Sequence, residues 1–276
     1  MDSKTIITCA LTGVLTDPAV HHVPVTPEEM ADHAHQAFNA GASIVHCHFR
    51  NQAKGLGHLP TWDLKTVGEI LAAIKDRVPE IMICMSTGVV GEDISGPVAC
   101  LEKFKPEMAA CNAGSLNYLK TRGNGSWAWP PMLFDNPVEK VKRFLDAMKV
   151  NTIVPEFECF DTGIIRSVGL YKENGMFDGP AHISCVMGVA SGMPAKPEWL
   201  PLLMEEMPEG THWQVIAVGR REIWDLQRRC AELGGNVRTG LEDTFYLPNG
   251  EKATGNGQLI DALARIVREA GREIAG

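Results

Sequence analysis

At 276 residues and 45% hydrophobic content, the chain can bury a large core as one domain spanning residues 1–276. A net charge of −8 with no Lys/Arg-rich block excludes nucleic acid as an expected partner. No apolar run approaches the roughly 18 residues of a membrane span, and no charged-then-apolar start marks a secretory signal. None of the eight cysteines is spaced as Cys-x-x-Cys, which fits free, buried thiols in a reducing, cytoplasmic setting.

Along the chain, short apolar or β-branched runs alternate with stretches of helical pattern. The first run is Thr5–Ala10. Thr26-Pro27-Glu28-Glu29 then reads as a helix start, with an N-cap, proline at the first helical position and acids in the first turn. Runs follow at Ser43–Phe49, Ile81–Ser86 and Met108–Asn112. Asn136-Pro137-Val138-Glu139 repeats the start signal before an amphipathic Val138–Met148. Thr152–Glu158, Ala181–Met187, Trp213–Val218 and Asn236–Gly240 complete the set of runs. Helical stretches at Pro197–Met207, Gly219–Leu233 and Gly257–Ala270 lie after or between them. Eight strand–helix units suit a closed (β/α)8 TIM barrel, with a doubly wound open sheet as the alternative. No Gly-x-Gly-x-x-Gly follows the first strand, which weakens the dinucleotide-binding form of that alternative.

A barrel demands that chemistry gather at the C-terminal ends of its strands. His46 and His48 close the second strand and share one face, about 6.5 Å apart along it. Two imidazoles so placed can lean onto one divalent ion, and Glu242 is the candidate third ligand. Core histidines bonded to backbone carbonyls are the bland alternative. Arg238 and Glu242 share a face if the last strand persists, with Asp243 turning into the loop as a general base that Arg238 keeps ionised. A surface Arg–Glu pair with a solvated Asp would explain the same spacing. Ser86, Thr87 and Ser115 offer hydroxyls to a carboxylate or a developing oxyanion, and serve helix capping equally well. Arg50 could bind a carboxylate or phosphate, or form a structural salt bridge. Lys54–His58 reads as a mobile loop, and no Gly-x-Ser-x-Gly elbow is present.

Four motifs in order, His46-x-His48-x-Arg50, Pro24–Glu29, Pro155–Asp161 and Gly240–Asp243, together resemble the beta-keto acid cleavage enzymes, and the match covers nearly the whole chain. The resemblance implies an oligomeric TIM barrel, dimer or tetramer, with one zinc ion on His46, His48 and Glu242. It implies acetyl-CoA as co-substrate, with a 3-keto acid converted to acetoacetate and a new acyl-CoA. In that setting Asp243 is the base, Arg238 supports it, Ser86 and Ser115 hold the substrate, and Glu156 lines the pocket for its variable end. Members acting on an aminated keto acid carry a carboxylate near the end of the first strand, where this chain has Thr12-Gly13-Val14-Leu15. An uncharged or apolar 3-keto acid is therefore expected. Rival readings are a metal-dependent hydrolase, an acyl-CoA lyase, or a barrel that binds without catalysis.

Overall fold

The computed structural model describes residues 4–276. Eight parallel strands close into a barrel: β1 (Ile7–Ala10), β2 (Ile44–Cys47), β3 (Met82–Met85), β4 (Met108–Asn112), β5 (Val154–Cys159), β6 (His182–Met187), β7 (His212–Ala217) and β8 (Asn236–Thr239), with β8 returning to pair with β1. Each strand is followed by a helix: α1 (Pro27–Ala40), α2 (Leu64–Arg77), α3 (Ser95–Phe104), α4 (Val138–Val150), α5 (Thr162–Glu173), α6 (Leu200–Glu205), α7 (Ile223–Glu232) and α8 (Asn256–Glu269). The expected TIM barrel is the fold, and the open sheet is excluded by the β8–β1 pairing. No helix among the described residues is long and apolar enough to cross a membrane.

The strands are buried on both faces, which is why they read in sequence as continuous apolar runs without polar alternation. Local signals set the helix ends. At α1 the Thr26 hydroxyl accepts the Glu29 N–H, the Glu29 carboxylate accepts the Thr26 N–H, and Gly41 closes the helix at a φ of 114°. The parallel expectation at Asn136 is corrected: the cap of α4 is Pro137, without a side-chain hydrogen bond. Asn136 is buried, and its N–H donates to the Ser115 hydroxyl at 2.7 Å. The expected Pro197–Met207 helix is a single 3-10 turn, Pro197–Trp199, running into the short α6. All eight cysteines are free and buried.

Three features were not foreseen. Leu116–Tyr118 and Met132–Phe134 form an antiparallel hairpin inside the loop between β4 and α4. Lys4–Thr5 pairs with Glu273–Ile274 outside the barrel. The Lys54–His58 loop is closed at its base by an Arg50–Pro60 bridge and by Asn51 and Thr61 N–H groups donating to Leu59 and Phe49 carbonyls.

Arg50 adds to that closure. It is 1% exposed and donates to the carbonyls of Thr12, Gly13, Thr16 and Gly57 and to the Thr16 hydroxyl. Its donors are spent on backbone, so it holds the β1 and β2 loops together and offers nothing to a ligand. On the other edge of β1, Gly240 lies so close to the strand that an added Cβ would sit 2.0 Å from the Ala10 carbonyl oxygen. That contact lets the chain turn directly after β8, with Glu242 N–H donating to the same carbonyl at 3.3 Å.

Gly240→Ala is expected to destabilise the protein by about 3 kcal/mol through forced separation of β8 from β1. Chemical denaturation reads that loss; a variant within a few tenths of a kcal/mol of the parent contradicts the close approach.

Candidate metal and catalytic site

Five of the sequence-chosen residues meet at the C-terminal mouth. His46 is in β2, whereas His48 lies one residue beyond its end, because the strand stops at Cys47. The two rings still converge, centroids 5.1 Å apart and inclined at 63°. β8 also ends earlier than expected, at Thr239, so Glu242 does not share a strand face with Arg238. It arrives through the turn after Gly240, in which the Asp243 and Thr244 N–H groups both donate to the Gly240 carbonyl.

The resulting distances are short. Glu242 Oε1 lies 3.3 Å from His48 Nε2, and Oε2 lies 3.8 Å from His46 Nε2. Arg238 donates to Asp243 through both Nε and Nη2, each at 3.1 Å, and its Nη2 is also 3.1 Å from Glu242 Oε1. Glu158, at the end of β5, approaches Arg238 Nη1 at 3.5 Å. Sequence reasoning placed Glu158 at the strand's functional end but gave it no role. The Glu156-x-Glu158 alternation was the available signal, since residues two apart on a strand share a face.

Three carboxyl groups around one buried guanidinium set the electrostatics. Burial works against ionising Glu242, yet His48, Arg238 and His46 outweigh it and hold its carboxyl well below the usual range. Burial raises Asp243 to about 6, although Arg238 opposes the shift. Burial likewise pushes Glu158 up to about 8. Burial and then Arg238 drive His46 well below its ordinary value, so its imidazole is neutral with a lone pair free. A neutral imidazole is the form that ligates metal.

Two buried atoms at the centre, His46 Nε2 and Glu242 Oε2, have no hydrogen-bond partner. Orphaned acceptors are costly unless something fills the space between them. His46, His48 and Glu242 each offer a ligand atom, all within 4.8 Å of one another. A tetrahedral ion about 2.0–2.2 Å from each ligand places them at such separations. The donor set of two imidazoles and one carboxylate therefore fits a divalent metal with an open position.

The remaining chosen residues divide. Ser86 is buried beside the mouth, and its oxygen accepts the Gly88 N–H at 3.4 Å, leaving its own hydrogen free. Thr87 donates its hydroxyl to the Ala110 carbonyl at 2.6 Å, which ties β3 to β4. The Ser115 oxygen accepts the Asn136 N–H. Glu156 sits deep in the barrel, with Oε1 accepting from Ser184 at 2.7 Å and Gln214 at 3.1 Å, and Oε2 accepting from Cys84 at 3.1 Å. Sequence reasoning also missed Asn256, which is fully buried, accepts the Leu241 N–H at 2.8 Å and donates to the Leu11 carbonyl at 2.9 Å. It locks the Glu242 turn to the end of β1. His58 and His22 are exposed, His21 stacks on Phe245, and His33 pairs with Asn256, so none of these joins the site.

Residues 4–276 match the family model described as beta-keto acid cleavage enzyme. The chain belongs to that family. The protein is thus an enzyme of the beta-keto acid cleavage type. It is 34% identical to a 3-keto-5-aminohexanoate cleavage enzyme of Fusobacterium nucleatum, across 100% of this chain and 95% of that protein. It is 32% identical to the 3-oxoadipate:acetyl-CoA acetyltransferase of Cupriavidus necator, across 100% of this chain and 92% of that one. Among solved structures, the apo form of ObcA superposes with a TM-score of 0.74 at 19% identity, a likeness of fold. The match covers 92% of this chain and 63% of ObcA.

A metal ion held by this donor set at roughly a hundredfold excess over its dissociation constant would stabilise the fold by about 2.7 kcal/mol through mass action, with zinc as the test ion. Thermal denaturation with zinc and with chelator should show that gap, which narrows in His48→Ala and closes in His46→Ala. An identical midpoint with and without zinc in the parent protein is incompatible with the site.

Proposed function

We propose that this enzyme converts a 3-keto acid and acetyl-CoA into acetoacetate and a new acyl-CoA, with zinc on His46, His48 and Glu242. The observation that carries the reading is the two-point grip of Arg238 on Asp243, directly beside the Glu242–histidine cluster. A divalent ion in that cluster, when bound, supplies Lewis-acid polarisation to a keto oxygen.

The protein's own residues do the rest. Asp243 accepts the proton from C2 of the keto acid, and Arg238 keeps the carboxylate ionised and aimed. The carbanion attacks the acetyl carbonyl of acetyl-CoA. The CoA thiolate transfers to the 3-keto carbonyl, and the C2–C3 bond breaks, which leaves a new acyl-CoA and the carbanion of acetoacetate. Asp243 returns the proton to that carbon, so the cycle is balanced without an enzyme nucleophile. Ser86 donates its hydroxyl hydrogen to the substrate carboxylate, and Ser115 does the same at the hairpin side of the mouth. Thr87 contributes by holding its loop to β4.

The same reading assigns an uncharged or apolar group to the variable end of the keto acid. Gly13 packs directly against Glu242, and the residues that continue from it are half-buried Val14 and exposed Leu15. Neither can neutralise an ammonium group. Glu156 could, but its carboxylate already accepts hydrogen bonds from Ser184, Gln214 and Cys84. The reading also takes the protein to be a cytoplasmic homo-oligomer, in keeping with its free thiols.

Asp243→Asn should lower kcat by about 10²–10⁴-fold while leaving bound zinc in place, measured as acetoacetate and acyl-CoA formed when both substrates are present. Turnover without CoA, or an unaffected variant, would move the reading to hydrolase or lyase chemistry. Across a substrate panel, plain 3-ketoalkanoates should exceed 3-keto acids bearing an amino or trimethylammonium group in kcat/KM. The reverse order would reassign the pocket.

A further inference from the structure

Beneath the mouth lies a second convergence of ligand-type side chains, of which the proposed reaction uses only His46. His46 of β2 and Cys84 of β3 are register partners, so their side chains stand next to each other on the barrel interior. Glu156 of β5 reaches the same point across the axis. All three are buried, and each offers a ligand atom within 4.8 Å of the others.

The arrangement is built, not incidental. Ser184 and Gln214 hold Glu156 Oε1, which turns Oε2 toward Cys84, whose thiol donates to it at 3.1 Å. Gln214 also donates to the Ser184 hydroxyl at 2.9 Å, which completes the brace. Both ring nitrogens of His46 are buried without a hydrogen-bond partner. The other seven cysteines are equally free and buried, yet among the described residues none of them joins such a cluster.

Charge and softness select the occupant. A thiolate, a carboxylate and a neutral imidazole carry two negative charges, which a divalent ion cancels in a place where uncompensated charge is expensive. Thiolate sulfur favours thiophilic ions over magnesium, calcium or manganese. We propose that His46, Cys84 and Glu156 form a second, deeper ion site for thiophilic divalent metals such as cadmium or zinc, sharing His46 with the outer set.

As the metal–sulfur bond forms, the Cys84 proton leaves to solvent, and no electron changes hands. The ion enters through the mouth past His48 and Glu242, the two half-buried members of the outer set. Because His46 belongs to both sets, filling the deeper one draws on a ligand that the outer one needs, so an ion there inhibits. The deep site follows from the barrel interior alone and stands whether or not the proposed reaction is correct.

The outer set has no sulfur, so a thiolate-to-cadmium charge-transfer band in the ultraviolet reports the deep set alone. Cadmium titrated into the unaltered protein, and into His48→Ala with its outer set broken, should raise this band to saturation at one ion per chain. Cys84→Ser should abolish it, and Glu156→Gln should weaken cadmium binding about tenfold or more. No band in His48→Ala, or a band that survives Cys84→Ser, overturns the site. Cadmium X-ray absorption on His48→Ala needs no substitution at the deep residues. One sulfur in the shell supports the site, and a shell of nitrogen and oxygen alone rejects it.

Discussion

The buried guanidinium of Arg238 is the element on which this active-site region depends. It is 1% exposed and faces Glu158, Glu242 and Asp243, each within 3.5 Å. Burial alone would work against its charge, but the three carboxylates hold it well above its usual range, so it is permanently cationic. One guanidinium thus serves three carboxyl groups. Burial raises Asp243 and Glu158, and the neighbouring acids add to the shift. A divalent ion held by His46, His48 and Glu242 would add positive charge beside these acids.

The barrel interior is divided to allow this. On the β1–β4 side the lower layer is apolar, with Ile44, Cys84 and Ala110 packed against Ile6, Met82 and Met108. On the β5–β8 side the inward positions carry Glu156, Ser184, Gln214 and Arg238, each bonded to others of the group or to the acids above. An isolated buried polar group costs roughly 1–3 kcal/mol, whereas a satisfied network rigidifies its surroundings. The polar half therefore acts as a stiff floor beneath the mouth, and it is possible because the opposite half closes the bottom with apolar side chains.

What the sequence disclosed follows the range of the forces involved. Strand positions and the barrel were legible because both faces of each strand are buried, so β1 to β8 stand out as apolar runs. The cap of α1 was legible because Thr26 and Glu29 act on backbone only three residues apart. His46, Glu242, Arg238 and Asp243 were found because their residue types have few uses inside a barrel. The exact strand ends were not legible. His48 and Glu242 looked like strand residues, but Cys47 and Thr239 end the ladders, and the turn that delivers Glu242 depends on Gly240 fitting against Ala10, over 200 positions away in sequence. Asn256 and Arg50 were misjudged or missed for the same reason, since their partners are carbonyls and N–H groups that carry no side-chain signature. Asn136 looked like a cap by its neighbours and proved to be a tertiary residue bonded to Ser115.

The turn after β8 also explains how one short segment can serve two roles. Glu242 and Asp243 are adjacent, yet Glu242 faces the two histidines while Asp243 is gripped by Arg238 through two parallel hydrogen bonds. Their orientation does not depend on a mobile loop. The Leu241 N–H is held by Asn256, the Glu242 N–H by the Ala10 carbonyl, and the Asp243 N–H by the Gly240 carbonyl. Three consecutive backbone groups are thus fixed to three different places, two of them on neighbouring elements. Successive residues of so constrained a turn keep a constant separation, and that constancy is what the proposed function asks of Glu242 as ligand and Asp243 as base.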